Sequence, residues 1–393
     1  MAESLDTLND EMASSFSPLI AVLALFLIFG TFGNMVVLFV YGNNTKKFSS
    51  DYFIICLSMH DLLITIIGIP TEILDLRYPI IFSLVSVCKV LKGLQGASLM
   101  TSSTILLSIT LDRYKRICKF GRTMRKRTTK LLCILSYVIL IVTAIPVFIV
   151  YGKKTVRLES INSTGSACSV ADEFRNSSAI LIYYGFLIIY FICCIIIFVT
   201  VYTLIRYRIK TSFASLSQTR KKCSQMFTVT YAVPQGSTSD IDLPQDSNSG
   251  IMINSTPSQS DTHDNRNLKK DSRSSTGNVQ QETNIDGKKD HYTAKKLARR
   301  QNHRLFRDKS NKTTLIFAYI TVGFVLSFLP FLISVIVRAA KSDLEESIST
   351  EMNVFFKFCL KSYFLSSVIN PLIYGFSSPR FRHECRRALK KCL

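Results

Sequence analysis

The sequence lacks most of what an enzyme or a metalloprotein would need. Its five histidines do not cluster, and none of its eleven cysteines forms a CxxC pair, so a zinc site has little support. There is no HExxH and no GxSxG, the short motifs by which a helix holds a metal or a turn exposes a nucleophile. Residues 1–17 contain no Lys or Arg but carry the acids Glu3, Asp6, Asp10 and Glu11. That is the wrong charge for the start of a cleavable signal peptide, and the apolar block behind it is too long for one. Charge is sparse throughout: Asp, Glu, Lys and Arg make up 19% of the chain, and no Lys or Arg stands in the middle of a long apolar block.

What the chain has instead is long apolar runs. Its 393 residues are 48% hydrophobic, and the apolar ones come in blocks such as 18–41 and 180–205. A run of roughly 20 apolar residues crosses a bilayer as a helix, whereas shorter runs suit buried core helices. Seven spans are expected, near 18–42, 52–76, 86–117, 129–151, 178–206, 313–338 and 353–376. Each should be helical, because backbone polar groups in lipid must be satisfied within the segment. Pro70, Pro146, Pro330 and Pro371 lie inside spans and should kink them. The formal charge of +21 alone would fit nucleic-acid binding. The basic residues, however, lie between and after the apolar blocks, so no nucleic acid is expected as a partner.

Lys and Arg set the orientation. Most fall in 43–51, 113–130, 206–312 and 377–393, and Arg113 through Lys130 alone supplies nine. The N-terminus, residues 1–17, is therefore expected outside and the C-terminus in the cytoplasm, in a multi-pass protein of the plasma membrane. Sequons at Asn162 and Asn176 then fall outside, as glycosylation requires. After the first five spans, in 18–210, residues 211–292 are rich in Ser, Thr, Asn, Gln and Asp and read as a disordered inner loop. Spans six and seven, led by a basic extension, occupy 293–376. The extension is either an anchor at anionic membrane lipid or a docking helix for a partner. In 377–393, Phe381, Cys385 and Leu389 recur every four residues among basic ones, the pattern of an amphipathic helix on the inner membrane surface. Cys385 and Cys392 sit where palmitoylation would add an anchor; unmodified thiols are the plain alternative.

Certain short motifs occur in order and at matching depths. They are Gly33-Asn34 in span one, Leu57-Ser58-Met59-His60-Asp61-Leu62-Leu63 in span two and Asp112-Arg113-Tyr114 closing span three. Phe324, Phe328 and Pro330 follow in span six, and Asn370-Pro371-Leu372-Ile373-Tyr374 in span seven. This set resembles the rhodopsin-like (class A) G-protein-coupled receptors, over nearly the whole chain outside 211–292. The resemblance implies an all-α seven-transmembrane bundle with a short amphipathic eighth helix. It implies a receptor, not an enzyme, that acts through a heterotrimeric G protein. Ser and Thr near basic residues in 211–292, such as Lys270-Asp271-Ser272-Arg273-Ser274, make that loop a candidate for regulation by receptor kinases and arrestin. It implies that Asp112 restrains Arg113 at rest and that Arg113 meets the G protein on activation. Tyr202 and Tyr374 would then hold the open state, with Tyr114, Phe324, Phe328, Pro330, Asn370 and Pro371 completing the switch. It also implies a disulfide between Cys88 and Cys168, which this topology places outside. Asp61 is a lone carboxylate in an apolar helix, a costly placement that marks function. Asn34, Ser102, Ser366, Ser367 and Asn370 are the oxygen ligands the resemblance offers for an allosteric sodium ion beside it. A protonated acid in a polar network is the alternative, and no other cofactor is expected.

The chain also departs from the family pattern. With no tryptophan in the sequence, Phe328 takes the usual span-six position and Ser136 the span-four one. Cys194 stands where span five usually has proline. The acid that often pairs with the span-three arginine from span six is missing, Ser310 falling about there, and raised ligand-free signalling is expected. Gln95 replaces the aspartate of amine receptors, and Phe364 replaces the retinal lysine of opsins. Glu72, Asp75, Lys92, Arg338, Lys341, Lys357 and Lys361 lie toward the outer helix ends. Both signs over a wide mouth suit a peptide, touching Gln95, Lys92, Leu99, Glu72, Phe364 and the Arg338 and Lys361 side; snorkelling to headgroups is the alternative. A transporter or photoreceptor would need coupled charges within the membrane or a retinal lysine, and only Asp61 is read as deeply placed. A decoy or scaffold receptor is argued against by the intact Asp112-Arg113-Tyr114.

Overall fold

The computed structural model describes residues 2–43, 47–119, 123–158, 163–174, 177–230, 311–338 and 348–392. The chain divides into two units, Met1–Phe213 with Phe306–Leu393, and Ala214–Leu305. Of the second, only 214–230 is described, as helix. Among the described residues, six helices are long and apolar enough to cross a membrane: Ser17–Gly42, Ser49–Arg77, Val85–Cys118, Lys126–Val150, Ala179–Thr211 and Asn311–Arg338. They are spans one to six of this multi-pass membrane protein. Span seven is broken into Thr350–Lys361, a 3-10 turn at Ser362–Phe364, and Leu365–Ser377. The amphipathic helix follows at Pro379–Cys392.

Span three is the enclosed centre, mostly buried, whereas span four is mostly exposed. Lipid is as apolar as leucine, so helices in it associate through close packing of small residues and through polar contacts. Span three accordingly buries Gly93, Gly96, Ala97, Ser98, Thr101, Ser102 and Ser103. Several of its hydroxyls are satisfied one turn back, Thr101 donating to the Ala97 carbonyl and Thr110 to that of Leu106. Span four turns Leu131, Ile134 and Ile141 outward. Span one meets span seven through Gly33, where an added Cβ would stand 2.7 Å from the Cβ of Pro371. Gly33→Ala should therefore lower thermal stability in detergent by about 1–3 kcal/mol. Gly42, with nothing within 4 Å, is the control position. Equal melting temperatures for the two alanine variants would show that the close approach contributes nothing.

Two features of the backbone were not expected from the sequence. Span two contains a π-turn at Ile64–Gly68, just before Pro70. It opens the hydrogen-bond ladder where proline can neither donate nor fit against the preceding turn. Between spans four and five, Tyr151–Leu158 and Ser163–Val170 form an antiparallel hairpin, with Lys153 opposite Cys168. The loop after span two joins it, Phe82 N donating to Ser166 O at 2.8 Å and Ser166 N to Ile80 O at 2.7 Å. Gly165 permits this approach, since a Cβ there would lie 2.5 Å from the Ile80 carbonyl oxygen.

The N-terminal segment is a helix, Ala2–Ser15. Its Asn9 is buried, donating to the Arg77 carbonyl at 3.2 Å and accepting from Ile80 N at 3.5 Å. Arg77 also donates to Asp10 at 2.7 Å and holds that carboxyl below its ordinary range. The expectation of a disordered loop from 211 is corrected at its start: the helix of span five continues to Thr230. Four-residue apolar spacing fades there, but nothing in 211–230 breaks a helix, since it has no Pro or Gly. The basic extension at 294–310 lies outside the described residues.

Candidate functional site

The site is a column of polar and aromatic residues along spans two, three, six and seven. At one end Asp112 and Arg113 are fully buried. Arg113 is held by the carboxylate of Asp112 and the hydroxyl of Ser50, and its guanidinium lies 5.3 Å from the centre of the Phe317 ring in span six. Asp112 is itself fixed by Ser49 at 3.2 Å and by the backbone N–H of Met124 at 3.1 Å. Tyr114 is half-buried. Tyr202 of span five bridges Thr110 of span three, at 3.5 Å, and Thr321 of span six, at 3.2 Å. Tyr374 of span seven is buried against Tyr41 and Phe381. Spans three, five and six are thus tied together here, and Phe317 faces Arg113 from span six. Ser310 lies outside the described residues.

Midway, Asp61 is buried and accepts from Asn370 Nδ2 at 2.8 Å, with the Ser367 hydroxyl beside it. Asn34 instead donates to the carbonyls of Gly30 and Ser367, at 2.9 and 2.8 Å, leaving its buried Oδ1 without a partner. Ser366 turns to the Tyr363 carbonyl at 2.8 Å, and Ser102 is buried. One carboxylate, an orphaned amide oxygen and hydroxyl oxygens suit a small monovalent cation, which takes oxygen ligands. Among the described residues no group of three or more His, Cys, Asp or Glu gathers to hold a metal. His60, next to Asp61, meets Ser98 at 3.2 Å, a cross-span contact missed in the sequence. Around Phe328 the rings pack at tilted angles: Phe324 and Phe328 at 4.7 Å, Phe328 and Tyr363 at 6.0 Å, Tyr363 and Phe364 at 4.2 Å. The span-six helix runs unbroken through Pro330, and Pro371 lies inside the last helix of span seven.

Residues 33–374 match the family model described as 7 transmembrane receptor (rhodopsin family). The chain belongs to this receptor family. It is 28% identical to the human neuropeptide S receptor over 130 residues, 33% of this chain and 35% of that one. With the nematocin receptor 2 of Caenorhabditis elegans it shares 32% over 146 residues, 34% and 37% of the two chains. With the human vasopressin V1b receptor it shares 28% over 145 residues, 35% and 33%. The chain thus spans about a third of the length of the curated relatives it matches.

At the far end of the receptor, Cys88 and Cys168 form a disulfide that ties the hairpin to span three. Gln95, Leu99 and Phe364 are buried below it, while Arg338 is exposed at the end of span six. The open rim of mixed charge expected at this end is corrected in two places. Glu72 and Lys361 are both buried and form an ion pair between spans two and seven. Asp75 and Lys92 pair at 3.4 Å between spans two and three. Asp61 is therefore not the only deep charge, and snorkelling does not describe these four. Each side chain is shielded by its opposite number, since charge in such a place must be paired. Lys341 lies outside the described residues, as do the sequons Asn162 and Asn176.

The eighth helix packs Phe381 on Tyr41, at 6.1 Å and nearly parallel. Cys385 is half-buried along it, and that burial pushes its thiol up. The side chain of Cys392 lies outside the described residues.

Proposed function

We propose that the receptor lies in the plasma membrane with its N-terminus outside, binds an extracellular peptide and activates a heterotrimeric G protein. The observation that carries this is the buried Asp112–Arg113 pair at one end of a polar column, with a disulfide-tied hairpin at the other. One end is built to release a charge and the other to meet a ligand. The peptide class follows from relatives named for neuropeptide S, nematocin and vasopressin, and from Gln95, which offers no charge to an amine. Gln95, Lys92, Leu99, Phe364 and Arg338 are the ligand contacts of this reading, with Glu72 and Lys361 forming the floor between spans two and seven. The inner end would also serve arrestin and receptor kinases, and the eighth helix the lipid surface, through acylation at Cys385 and Cys392. Glycans at Asn162 and Asn176 would mark the outer face. A peptide library screened for nucleotide exchange on each G-protein class is the direct test, with Arg113→Ala as control. A peptide that binds tightly yet drives no exchange on any class would make the protein a decoy.

The same reading gives Asp61, Asn34, Ser102, Ser366, Ser367 and Asn370 a sodium ion as allosteric ligand. Raising sodium chloride at constant ionic strength should then weaken agonist affinity about 5-fold or more, the usual size of an allosteric coupling. Asp61→Asn should abolish that dependence while agonist still binds. An unchanged sodium response in the variant would remove the ion from this site.

A further inference from the structure

We propose that the first turn of span two, Ser49-Ser50-Asp51, couples the seat of the eighth helix to the restraint on Arg113, with Arg380 as a positioning residue for the switch. The inference rests on the G-protein reading above. Three successive residues at the start of a membrane helix would ordinarily meet water and headgroups. Here all three are buried, Ser49 and Ser50 against the end of span three and Asp51 against the eighth helix. Ser49 donates to Asp112 at 3.2 Å. The Ser50 hydroxyl receives the Arg113 guanidinium. Asp51 accepts a two-pronged contact from Arg380 at 2.9 and 3.1 Å, and a further bond from Phe48 N at 2.9 Å.

The geometry makes the turn a single rigid piece. The Asp51 N–H donates to the Phe48 carbonyl at 3.1 Å and Phe48 N returns a bond to the Asp51 carboxylate. The carbonyls of the turn enter the helix ladder, so a shift of its backbone carries all three side chains. Arg380 is gripped as well, lying 5.2 Å from the centre of the Phe48 ring and 5.9 Å from that of Tyr41. Phe381 beside it stacks on Tyr41 and lies 6.3 Å from Tyr374. The eighth helix is thereby seated on spans one, two and seven. Asp51 is 1% exposed but Arg380 is 39% exposed, so the pair can be reached from the surface of the bundle at its arginine. Freed of Arg380, the buried Asp51 carboxylate would keep the Phe48 N–H as a donor and the charge of Arg116 nearby, but would lose its two-pronged contact and draw the turn toward water. Ser50 would follow. Arg113 has two guanidinium nitrogens without hydrogen-bond partners, so losing the Ser50 hydroxyl removes much of what holds it.

The test uses the full-length receptor in lipid nanodiscs, with an environment-sensitive label on a cysteine introduced at the exposed Lys312, near the start of span six. Arg380→Gln, Asp51→Asn and Ser50→Ala should each shift the label toward the activated signal without ligand. Ligand-free nucleotide exchange should rise about 5-fold or more in parallel. Arg380→Lys and Ser50→Thr, which keep the charge or the hydroxyl, should stay near wild type. A merely structural role would lower stability without moving the label. A label unmoved in folded Arg380→Gln overturns the proposal. Should Arg380→Gln fail to reach the membrane, a label unmoved in Ser50→Ala, which removes one hydroxyl, overturns it equally. Absence of exchange in the wild type with every peptide would sink the functional reading alone, because the label reports span six without a G protein.

Discussion

Lys361→Ala should destabilise the receptor by about 3–5 kcal/mol, the usual result of stripping one partner from a buried ion pair. Glu72, with none of its surface exposed, would keep an unpaired carboxylate inside the bundle. The damage should spread beyond the pair. Lys361 stands at the break of span seven, immediately before the 3-10 turn at Ser362–Phe364. In that turn Ser362 donates to the Ser327 carbonyl of span six at 2.8 Å. A displaced Lys361 position would loosen spans two, six and seven together. Replacing both partners by apolar residues of similar volume, Glu72→Leu with Lys361→Met, should recover the loss, since such replacements are often neutral or stabilising. Thermal unfolding in detergent and the amount of folded receptor at the cell surface read both effects. If the double variant were as unstable as the single one, the pair would be more than a mutual neutralisation, and its geometry would itself hold spans two and seven together.

The second large effect should follow from Cys88→Ser. The bridge closes a loop of 80 residues, and the chain-entropy view assigns a loop of that size about 4.5 kcal/mol. More than entropy is at stake. Cys168 lies in the strand that also pairs with the loop after span two, so losing the bridge releases two loops from span three at once. Surface expression and binding of the proposed peptide ligand should fall together. Cys88→Ser leaves a free Cys168 thiol, and the double Cys88→Ser, Cys168→Ser variant separates the causes. Equal loss in single and double variants assigns the effect to the missing tie. Recovery in the double would assign it to a mispaired thiol.

The residues of the site that were legible in the sequence share one property: they are polar where the surroundings are apolar. Asp61, Asn370 and Asp112-Arg113 stand out in this way, and a span's length fixes their depth. Phe328 and Gln95 could be placed by counting from prolines and cysteines. The pairs that complete the site were hidden because each half looks ordinary alone. A serine near a helix start, such as Ser49 or Ser50, is what capping would put there. Glu72 and Lys361 read as charges near a membrane edge, and only the packing of span two on span seven brings them together. The hairpin carries weak alternation and a glycine whose use appears only when Ile80 lies across it. The N-terminal helix shows its purpose only through Asn9, a polar residue buried in an acidic and otherwise ordinary stretch.

The π-turn in span two has a consequence for how this receptor can vary. Such a turn carries one residue more than the α-helical turn it replaces. Each residue advances a helix by about 100°, so everything beyond Gly68 is rotated by that amount relative to an uninterrupted span. Glu72 and Asp75 owe their partners on spans seven and three to this offset as much as to being acids. Deleting one residue between Ile64 and Gly68 would leave every acid in the sequence and turn both toward other neighbours. Pocket chemistry at this end is thus set by a frame as well as by letters, and a single insertion or deletion could retune ligand choice where no substitution has occurred.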